Sequence, residues 1–98
     1  MMAWYVYLLN CADNTFYTGI TTEPKRRLHE HNYDDKKAAK YTRARRPLSM
    51  VYFELCESRS DAGSREYEIR KLSRVKKQLL ADSMSETICV SKPQTGTK

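Results

Sequence analysis

Two tyrosine-containing triplets and a short polar segment near the start of the chain combine groups that can bind phosphate. Tyr-Val-Tyr occupies Tyr5–Tyr7 and Tyr-Thr-Gly occupies Tyr17–Gly19, while Arg27 and His31 follow with a spacing of four. Residues four apart share one face of a helix. An arginine offers a bidentate fork to phosphate, and a histidine can donate a hydrogen bond or transfer a proton near neutral pH. These groups predict a phosphate-handling site.

A carboxylate later in the chain is a candidate cation ligand. Glu66 lies four residues after Ala62 and three before Ile69, so on a helix it shares their inward stripe. A carboxylate at the edge of a core is costly unless it is paired or binds a cation. Both a cation site and an ordinary salt bridge to an arginine are consistent with this pattern.

Each of these groups also has an ordinary structural interpretation. Tyr7 and Tyr17 could pack within a sheet, and Arg27 and His31 could form an exposed polar helix face. His29 lies two residues from His31, so on a helix the two rings project about 200° apart and cannot chelate one ion. The sequence alone leaves these alternatives open.

Positive charge is concentrated in one segment. Lys and Arg number 18 against 12 Asp and Glu, which gives a formal net charge of +6. Residues 25–46 hold much of this excess, and a second basic block lies at residues 70–77. Such local fields attract polyanions, nucleic acid above all, although a solvated surface that keeps the protein soluble is the alternative. We assign eight side chains to nucleic acid binding: Lys25, Arg26, Lys36, Lys37, Lys40, Arg43, Arg45 and Arg46.

The cysteines and the N-terminal segment indicate in which cellular compartment the protein is expected. Cys11, Cys56 and Cys89 are widely spaced and include no Cys-x-x-Cys pair, so neither a disulfide framework nor a zinc site is indicated. Residues 1–9 are apolar but lack a basic leader and are too short to cross a bilayer. We expect a cytoplasmic protein with no membrane partner. The sequence does not indicate an oligomeric state.

Alternating apolar residues predict three strands. Trp4–Asn10 and Thr15–Ile20 flank a turn signal and form an antiparallel hairpin, and Leu48–Glu57 is the longest strand. In the first strand, even-numbered side chains face one side and odd-numbered ones the other. Strict alternation in the third strand groups Met50 with Tyr52. Gly19 permits a close backbone approach or an irregular φ.

Capping residues predict the helices. Thr22 is a candidate N-cap for a helix from Pro24 to about Asn32, and residues 34–47 form a basic loop or short helix. Ser58 caps a helix from about Arg59 to Lys71. A last helix runs from Ser73 to about Asp82, and its apolar side is formed by Val75, Leu79 and Leu80. We predict one α/β domain over residues 1–82 and a polar, flexible tail over residues 83–98.

These residues together resemble the GIY-YIG nuclease domain, in particular its small stand-alone bacterial branch. The resemblance covers about residues 4–81. Tyr5–Tyr7 stands at the Gly-Ile-Tyr position and Tyr17–Gly19 at the Tyr-Ile-Gly position. The Arg27 and His31 pair matches the arginine-x-x-x-histidine motif of the family, and Glu66 matches its later carboxylate. The basic segment 40–47 is similar to that of the stand-alone branch.

The resemblance implies a small three-stranded antiparallel sheet flanked by helices and metal-dependent phosphodiester hydrolysis. Glu66 would bind one Mg²⁺ or Mn²⁺, and Tyr17 or Tyr7 would orient or deprotonate the attacking water. Arg27 would stabilise the charge that develops on the scissile phosphate, assisted by His31. The implied partner is nucleic acid, DNA in preference to RNA.

Two functional hypotheses follow from the sequence. The first is an endonuclease acting on DNA, whose candidate substrates are branched, damaged or single-stranded. The second is a binding module that holds nucleic acid through phosphate contacts and cuts slowly or not at all. The basic segment supports either hypothesis.

Overall fold

An antiparallel sheet forms the centre of the computed structural model, which describes residues 3–84 and 88–89. Strands β1 (Trp4–Asn10), β2 (Phe16–Thr21) and β3 (Ser49–Cys56) are joined by β4 (Ile88–Cys89), and the order in the sheet is β2-β1-β3-β4. Both neighbours of β1 run antiparallel to it. The predicted three-stranded sheet is confirmed, and the two residues of β4 extend it by pairing with the start of β3.

Four helices accompany the sheet. They are α1 (Pro24–Tyr33), α2 (Lys40–Arg43), α3 (Arg59–Arg70) and α4 (Arg74–Asp82). The Ser58 hydroxyl caps α3 by accepting from the Asp61 amide, and Ser73 caps α4 in the same way.

The predicted cap of α1 is wrong. The N-cap is Glu23 and not Thr22, because Pro24 has the fixed φ of a first helical residue and the helix begins there. The nearest capping-type contact is made by Thr21, whose hydroxyl accepts from the Glu23 amide at 3.1 Å.

The two faces of β1 pack into two separate clusters. Val6 and Leu8 are fully buried against Ile69 of α3, whereas Tyr7 and Leu9 are buried on the other face with Leu28 of α1. The predicted alternation in β1 is therefore confirmed. The sheet lies between α1 on one side and α3 on the other, so groups from both helices can meet only around its edge.

Strict alternation in β3 was wrong at one point. Leu8 lies opposite Tyr52 but Leu9 lies opposite Met50, so Val51 is an extra residue on β3. This bulge reverses the side of the sheet that the following residues face. As a result Met50 packs with Leu9, while Tyr52 packs on the face of Leu8.

The apolar side predicted for α4 is also wrong for two of its three residues. Val75 and Leu79 are 69% and 61% exposed, because α4 contacts the core through Leu80 alone of the three. The predicted flexible tail, 83–98, lies largely outside the described residues and stays a prediction.

Asn32 attaches α1 to the start of β3. Its buried side-chain amide donates to the carbonyls of Leu28 and Leu48, and its Oδ1 accepts from the Leu48 amide at 2.8 Å. Three hydrogen bonds thus fix the last turn of α1, which also bears His31, relative to the sheet.

Among the described residues, no helix combines the length and the apolar character needed to cross a membrane.

Candidate active site

Tyr7 and Gly19 face each other across the central hairpin. They are paired residues of β1 and β2, and the Tyr7 ring lies directly over Gly19. A Cβ at position 19 would collide with the Tyr7 phenol oxygen and lie 2.6 Å from Cζ. No glycine in the described part of the chain has a positive φ. Gly19 is therefore required for the close approach of the ring and not for an unusual backbone.

A hydrogen-bonded chain runs from Tyr7 through His31 to α2. The Tyr7 hydroxyl lies 2.8 Å from His31 Nε2, and His31 Nδ1 lies 2.8 Å from Thr42 Oγ1. Thr42 donates its only hydroxyl hydrogen to the Ala39 carbonyl at 3.0 Å. Thr42 must then accept from Nδ1–H, so Nε2 is unprotonated and accepts from Tyr7. His31 is fully buried, and both ring nitrogens are used within the protein.

Burial changes the titration of this pair. It lowers the pKa of His31 to about 4, with the Arg27 charge contributing in the same direction. Burial also raises the pKa of the Tyr7 phenol, and Arg27 offsets that increase only in part. At neutral pH the hydrogen bond between Tyr7 and His31 therefore joins a neutral phenol to a neutral imidazole. Both ring nitrogens of His31 are already bonded within the protein, so the ring offers no free donor to a phosphate in this arrangement, and its predicted assistance to Arg27 stays a prediction.

The stability of the protein is expected to fall as the pH falls from about 6.5 towards 4. The unfolded chain protonates His31 near pH 6.5, whereas the folded protein does so only near pH 4, so the unfolded state binds more protons in this window. Above about pH 6.5 the neutral His31 ring contributes its full stabilisation to the folded state. As the pH falls from there through about 4, the free energy of unfolding decreases by up to about 3 kcal/mol. Urea unfolding at pH 7 and pH 4.5 measures this loss.

The matched control is His31→Gln, which removes the titrating ring and leaves His29 in place. His29 is exposed and lies against the Tyr33 ring. The variant is expected to be less stable at pH 7 but to lose much less stability on acidification. An equal loss in the two proteins would contradict the assignment of the acid sensitivity to His31.

Arg27 lies beside both tyrosines. Its Nη1 donates to Glu30 Oε1 at 3.0 Å and to the Lys37 carbonyl at 2.8 Å, and 25% of its side chain is exposed. Burial raises the pKa of the Tyr17 phenol as it does that of Tyr7, and in both cases the Arg27 charge is the largest opposing influence. The guanidinium is thus held in place by α1 and the following loop, next to the two phenols.

An open cleft of about 290 Å³ lies at the edge of β2. Tyr17 from β2 and Glu66 from α3 line it together. The other lining residues are Phe16, Thr18, Tyr41, Arg70 and Lys77. The negative charge of Glu66 raises the pKa of both Tyr7 and Tyr17, so the carboxylate is near the hairpin phenols although it comes from the other face of the sheet.

Aromatic contacts fix the Tyr17 ring in the wall of this cleft. The ring makes an edge contact with His31 at 5.4 Å and stacks on Tyr41 at 6.0 Å with an interplanar angle of 22°. The Tyr41 hydroxyl donates to Thr15 at 2.9 Å, and the Arg45 guanidinium lies 3.8 Å from the centre of the Tyr41 ring. The Tyr17 ring is therefore held between a residue of α1, His31, and a residue of α2, Tyr41.

The surroundings of Glu66 suit a single hard cation. Ala62 and Ile69 are fully buried, whereas 24% of the Glu66 side chain is exposed at the cleft. Arg70 Nη1 lies 3.7 Å from Glu66 Oε2, an ion pair too long for a hydrogen bond. Within the described residues no group of three or more His, Cys, Asp and Glu is placed to hold a metal. One carboxylate fits Mg²⁺, which keeps several waters and takes few protein ligands.

The eight side chains predicted to bind nucleic acid fall into two groups. Arg45 and Arg46 are used inside the protein: Arg45 pairs with Asp13 at 3.0 Å, and Arg46 donates to the His31 carbonyl and pairs with Asp35. Arg26 is exposed but lies near Glu23 and Glu30. The remaining five are exposed on α1, α2 and the intervening loop: Lys25, Lys36, Lys37, Lys40 and Arg43.

The sequence interpretation missed several residues of the cleft. Arg70 follows Glu66 by four on α3, so helical spacing could have placed the two side chains together. Lys77 lies in the basic block 70–77, but the charge pattern of that block does not indicate that Lys77 lines the cleft. Nothing in the local sequence marks Tyr41 or Thr42, because both reach the site through tertiary packing of α2.

Comparisons with known proteins agree with this architecture. Residues 3–78 match the family model of the GIY-YIG catalytic domain. A UPF0213 protein of Desulfotalea psychrophila is 54% identical over 78 residues, covering 80% of this chain and 70% of that protein. A UPF0213 protein of Haloquadratum walsbyi is 50% identical over 78 residues, covering 80% and 85%.

Two solution NMR structures have a similar fold. The UPF0213 protein of Bacillus halodurans shares 43% identity with a TM-score of 0.51, over 83% of this chain and 84% of that one. A protein from E. faecalis shares 41% identity with a TM-score of 0.56, over 85% and 86%. The fold of this chain is thus similar to that of these two solved structures.

Proposed function

The chain belongs to the GIY-YIG catalytic domain family, a family with a nuclease-like fold, and on this basis we propose that it is a metal-dependent endonuclease that hydrolyses phosphodiester bonds in DNA. The observation that supports the proposal most is the cleft at the edge of β2, where Glu66 and Tyr17 line one space beside Arg27. Branched, damaged or single-stranded DNA are the substrates to test.

Glu66 would hold the cation, Mg²⁺ or Mn²⁺. When bound, such a cation polarises a phosphate oxygen and neutralises charge on the leaving oxygen. Glu66 suits this role because its carboxylate is partly exposed at the cleft and only loosely paired with Arg70.

Arg27 would stabilise the charge that develops on the scissile phosphate. Glu30 and the Lys37 carbonyl both accept from Nη1 of its guanidinium, so the group is preorganised beside the phenols before substrate arrives. Preorganisation matters because the donor does not have to be reoriented during the reaction.

The two tyrosines have different surroundings and therefore different proposed roles. Tyr17 lines the cleft, so we assign it the orientation of the attacking water. Tyr7 is buried next to it and donates its hydroxyl hydrogen to His31 Nε2. Because His31 is neutral at pH 7, its Nε2 accepts this hydrogen bond and fixes the orientation of the Tyr7 hydroxyl. His31 is in this scheme a positioning residue that acts through Tyr7.

The exposed cations on α1, α2 and their loop support nucleic acid as the partner. Their contribution would come from contacts with phosphate, so binding is expected to weaken steeply as salt increases.

Nicking of supercoiled plasmid and of branched DNA, with Mg²⁺ or Mn²⁺, tests the proposal. Wild type is expected to cut, and Arg27→Ala to cut about 10²-fold more slowly with little change in DNA affinity, because the loss affects the developing charge. The control is Arg59→Ala, which removes an exposed arginine of α3 that lies over the Trp4 ring and far along the helix from Glu66.

The outcomes separate the competing functions. Equal rates for Arg27→Ala and Arg59→Ala would exclude Arg27 from the chemistry. Binding without cutting under either metal would favour the binding-module hypothesis. A wild-type protein that neither binds nor cuts nucleic acid would exclude both.

A further inference from the structure

The cleft that holds Tyr17 and Glu66 continues along the edge of the sheet. Phe16, Tyr17 and Thr18 all line it, although side chains of successive strand residues point to opposite faces. Lining by three consecutive residues places the cleft along the outer edge of β2, which pairs with no further strand in the described part of the chain, and not over one face. β2 is the outer strand of the sheet, with β1 as its neighbour.

A second cleft of about 260 Å³ adjoins the first. It is lined by Thr15, Phe16, Arg74 and Lys77, and it shares Phe16 and Lys77 with the first cleft. The two clefts therefore form one groove, which we call the β2-edge groove, from Thr18 to Thr15. At about 3.3 Å per residue it follows the strand for about 10 Å.

Three cations line the β2-edge groove. Arg70 belongs to α3, while Arg74 and Lys77 lie three residues apart on α4 and so share a face. The only acid among the lining residues is Glu66, which lies at the end of the groove nearest Tyr17. Away from Glu66 the groove is therefore positively charged.

Arg74 is held in position by contacts of its own side chain, and the backbone of α4 is held by its cap. The Arg74 guanidinium donates to the Asn14 carbonyl and lies 5.6 Å from the centre of the Phe16 ring. The Ser73 cap fixes the first turn of α4, which bears Arg74 and Lys77. In the floor of the groove the Thr18 hydroxyl is buried and has no hydrogen-bond partner among residues 3–84 and 88–89.

We propose that the β2-edge groove binds the phosphate backbone of a single nucleic-acid strand leading away from the scissile phosphate, with Lys77 and Arg70 as phosphate contacts. The proposal rests on the proposed function and adds a binding surface formed by α3, α4 and β2. A strand carries one charge per about 3.4 Å of axis in B-form geometry, and its backbone path is longer than its axis, so a groove of about 10 Å accommodates at most about three phosphates, enough for contacts with Lys77 and Arg70. The groove thereby orients the strand relative to Glu66.

Lys77→Ala tests the groove through the salt dependence of binding. The probe is a short fluorescein-labelled single-stranded oligodeoxynucleotide, with EDTA present so that no strand is cut. Each phosphate contact contributes about 0.7 to the slope of log K against log salt for single strands, so the slope is expected to become shallower by about 0.7. Lys77→Arg is expected to retain the wild-type slope.

Lys76→Ala is the matched control. Lys76 is the neighbouring exposed lysine on α4 and does not line the groove. A Lys77→Ala slope equal to those of wild type and Lys76→Ala would overturn the groove proposal, and cutting by the wild type would leave the proposed function intact. A reduced slope without any cutting would support the groove and count against the endonuclease. No binding of the oligonucleotide by wild type would overturn the groove proposal, and the nicking assay alone would then decide the proposed function.

Discussion

Glu66→Gln is expected to lower the rate of DNA cleavage by about 10²–10³-fold or more, because it removes the one carboxylate among the described residues that line the β2-edge groove. Glutamine has nearly the same shape and keeps an oxygen, so folding and DNA binding should change little. Loss of the ion pair with Arg70 has a small effect on the free energy of unfolding, because Arg70 Nη1 lies 3.7 Å from Glu66 Oε2 and the Arg70 side chain is 57% exposed. Its contribution to stability is about 0–1 kcal/mol.

The measurement is single-turnover nicking, together with a calorimetric titration with Mn²⁺. Glu68→Gln is the control: Glu68 is on the same helix, is exposed, and pairs with Arg65 at 3.0 Å. If Glu66 is the cation ligand, Glu66→Gln loses both cutting and Mn²⁺ affinity while Glu68→Gln keeps both. If Glu66 is only a structural partner of Arg70, cutting and Mn²⁺ affinity persist, and the free energy of unfolding falls by no more than about 1 kcal/mol. That second result would remove the metal assignment.

Local sequence was sufficient to predict the elements that present the site. The aromatic and branched residues of β1 and β2, with polar turn residues between them, predict the hairpin that brings Tyr7 to Gly19. Ser58 predicts the start of α3, and from that start helical periodicity places Glu66 beside Ala62 and Ile69. These predictions were accurate because each depends on interactions within a few residues.

The features that the sequence did not indicate depend on contacts between distant parts of the chain. The burial of His31 depends on α2, which brings Thr42 to its Nδ1 from eleven residues away. The bulge at Val51 depends on how β3 aligns with β1, and no local pattern specifies that register. Lys77 reaches the cleft because α4 folds back towards β2. Charge counting identified the basic segments but could not distinguish Arg46, which is used internally, from Lys40, which is exposed.

Gly19→Ala is expected to destabilise the protein by about 3 kcal/mol and to impair cleavage, although the change adds a single methyl group. That methyl would overlap the Tyr7 hydroxyl and lie 2.6 Å from Cζ, and the ring is enclosed by the core and cannot move freely. Overpacking of this kind costs about 1–3 kcal/mol, and displacement of the ring would also break the hydrogen bond to His31, worth about 1 kcal/mol. Urea unfolding and the nicking assay measure the two effects.

Gly63→Ala provides the contrast, because a Cβ added there meets no atom within 4 Å and the residue lies inside α3. Alanine is the better helix former, so this variant should be more stable than wild type by about 0.5–1 kcal/mol. Opposite signs for the same substitution would show that the cost at position 19 comes from Tyr7 and not from the loss of glycine. Conversely, a Gly19→Ala protein with wild-type stability would mean that Tyr7 can leave its place over β2, and the proposed positioning of the Tyr7 hydroxyl by His31 would no longer hold.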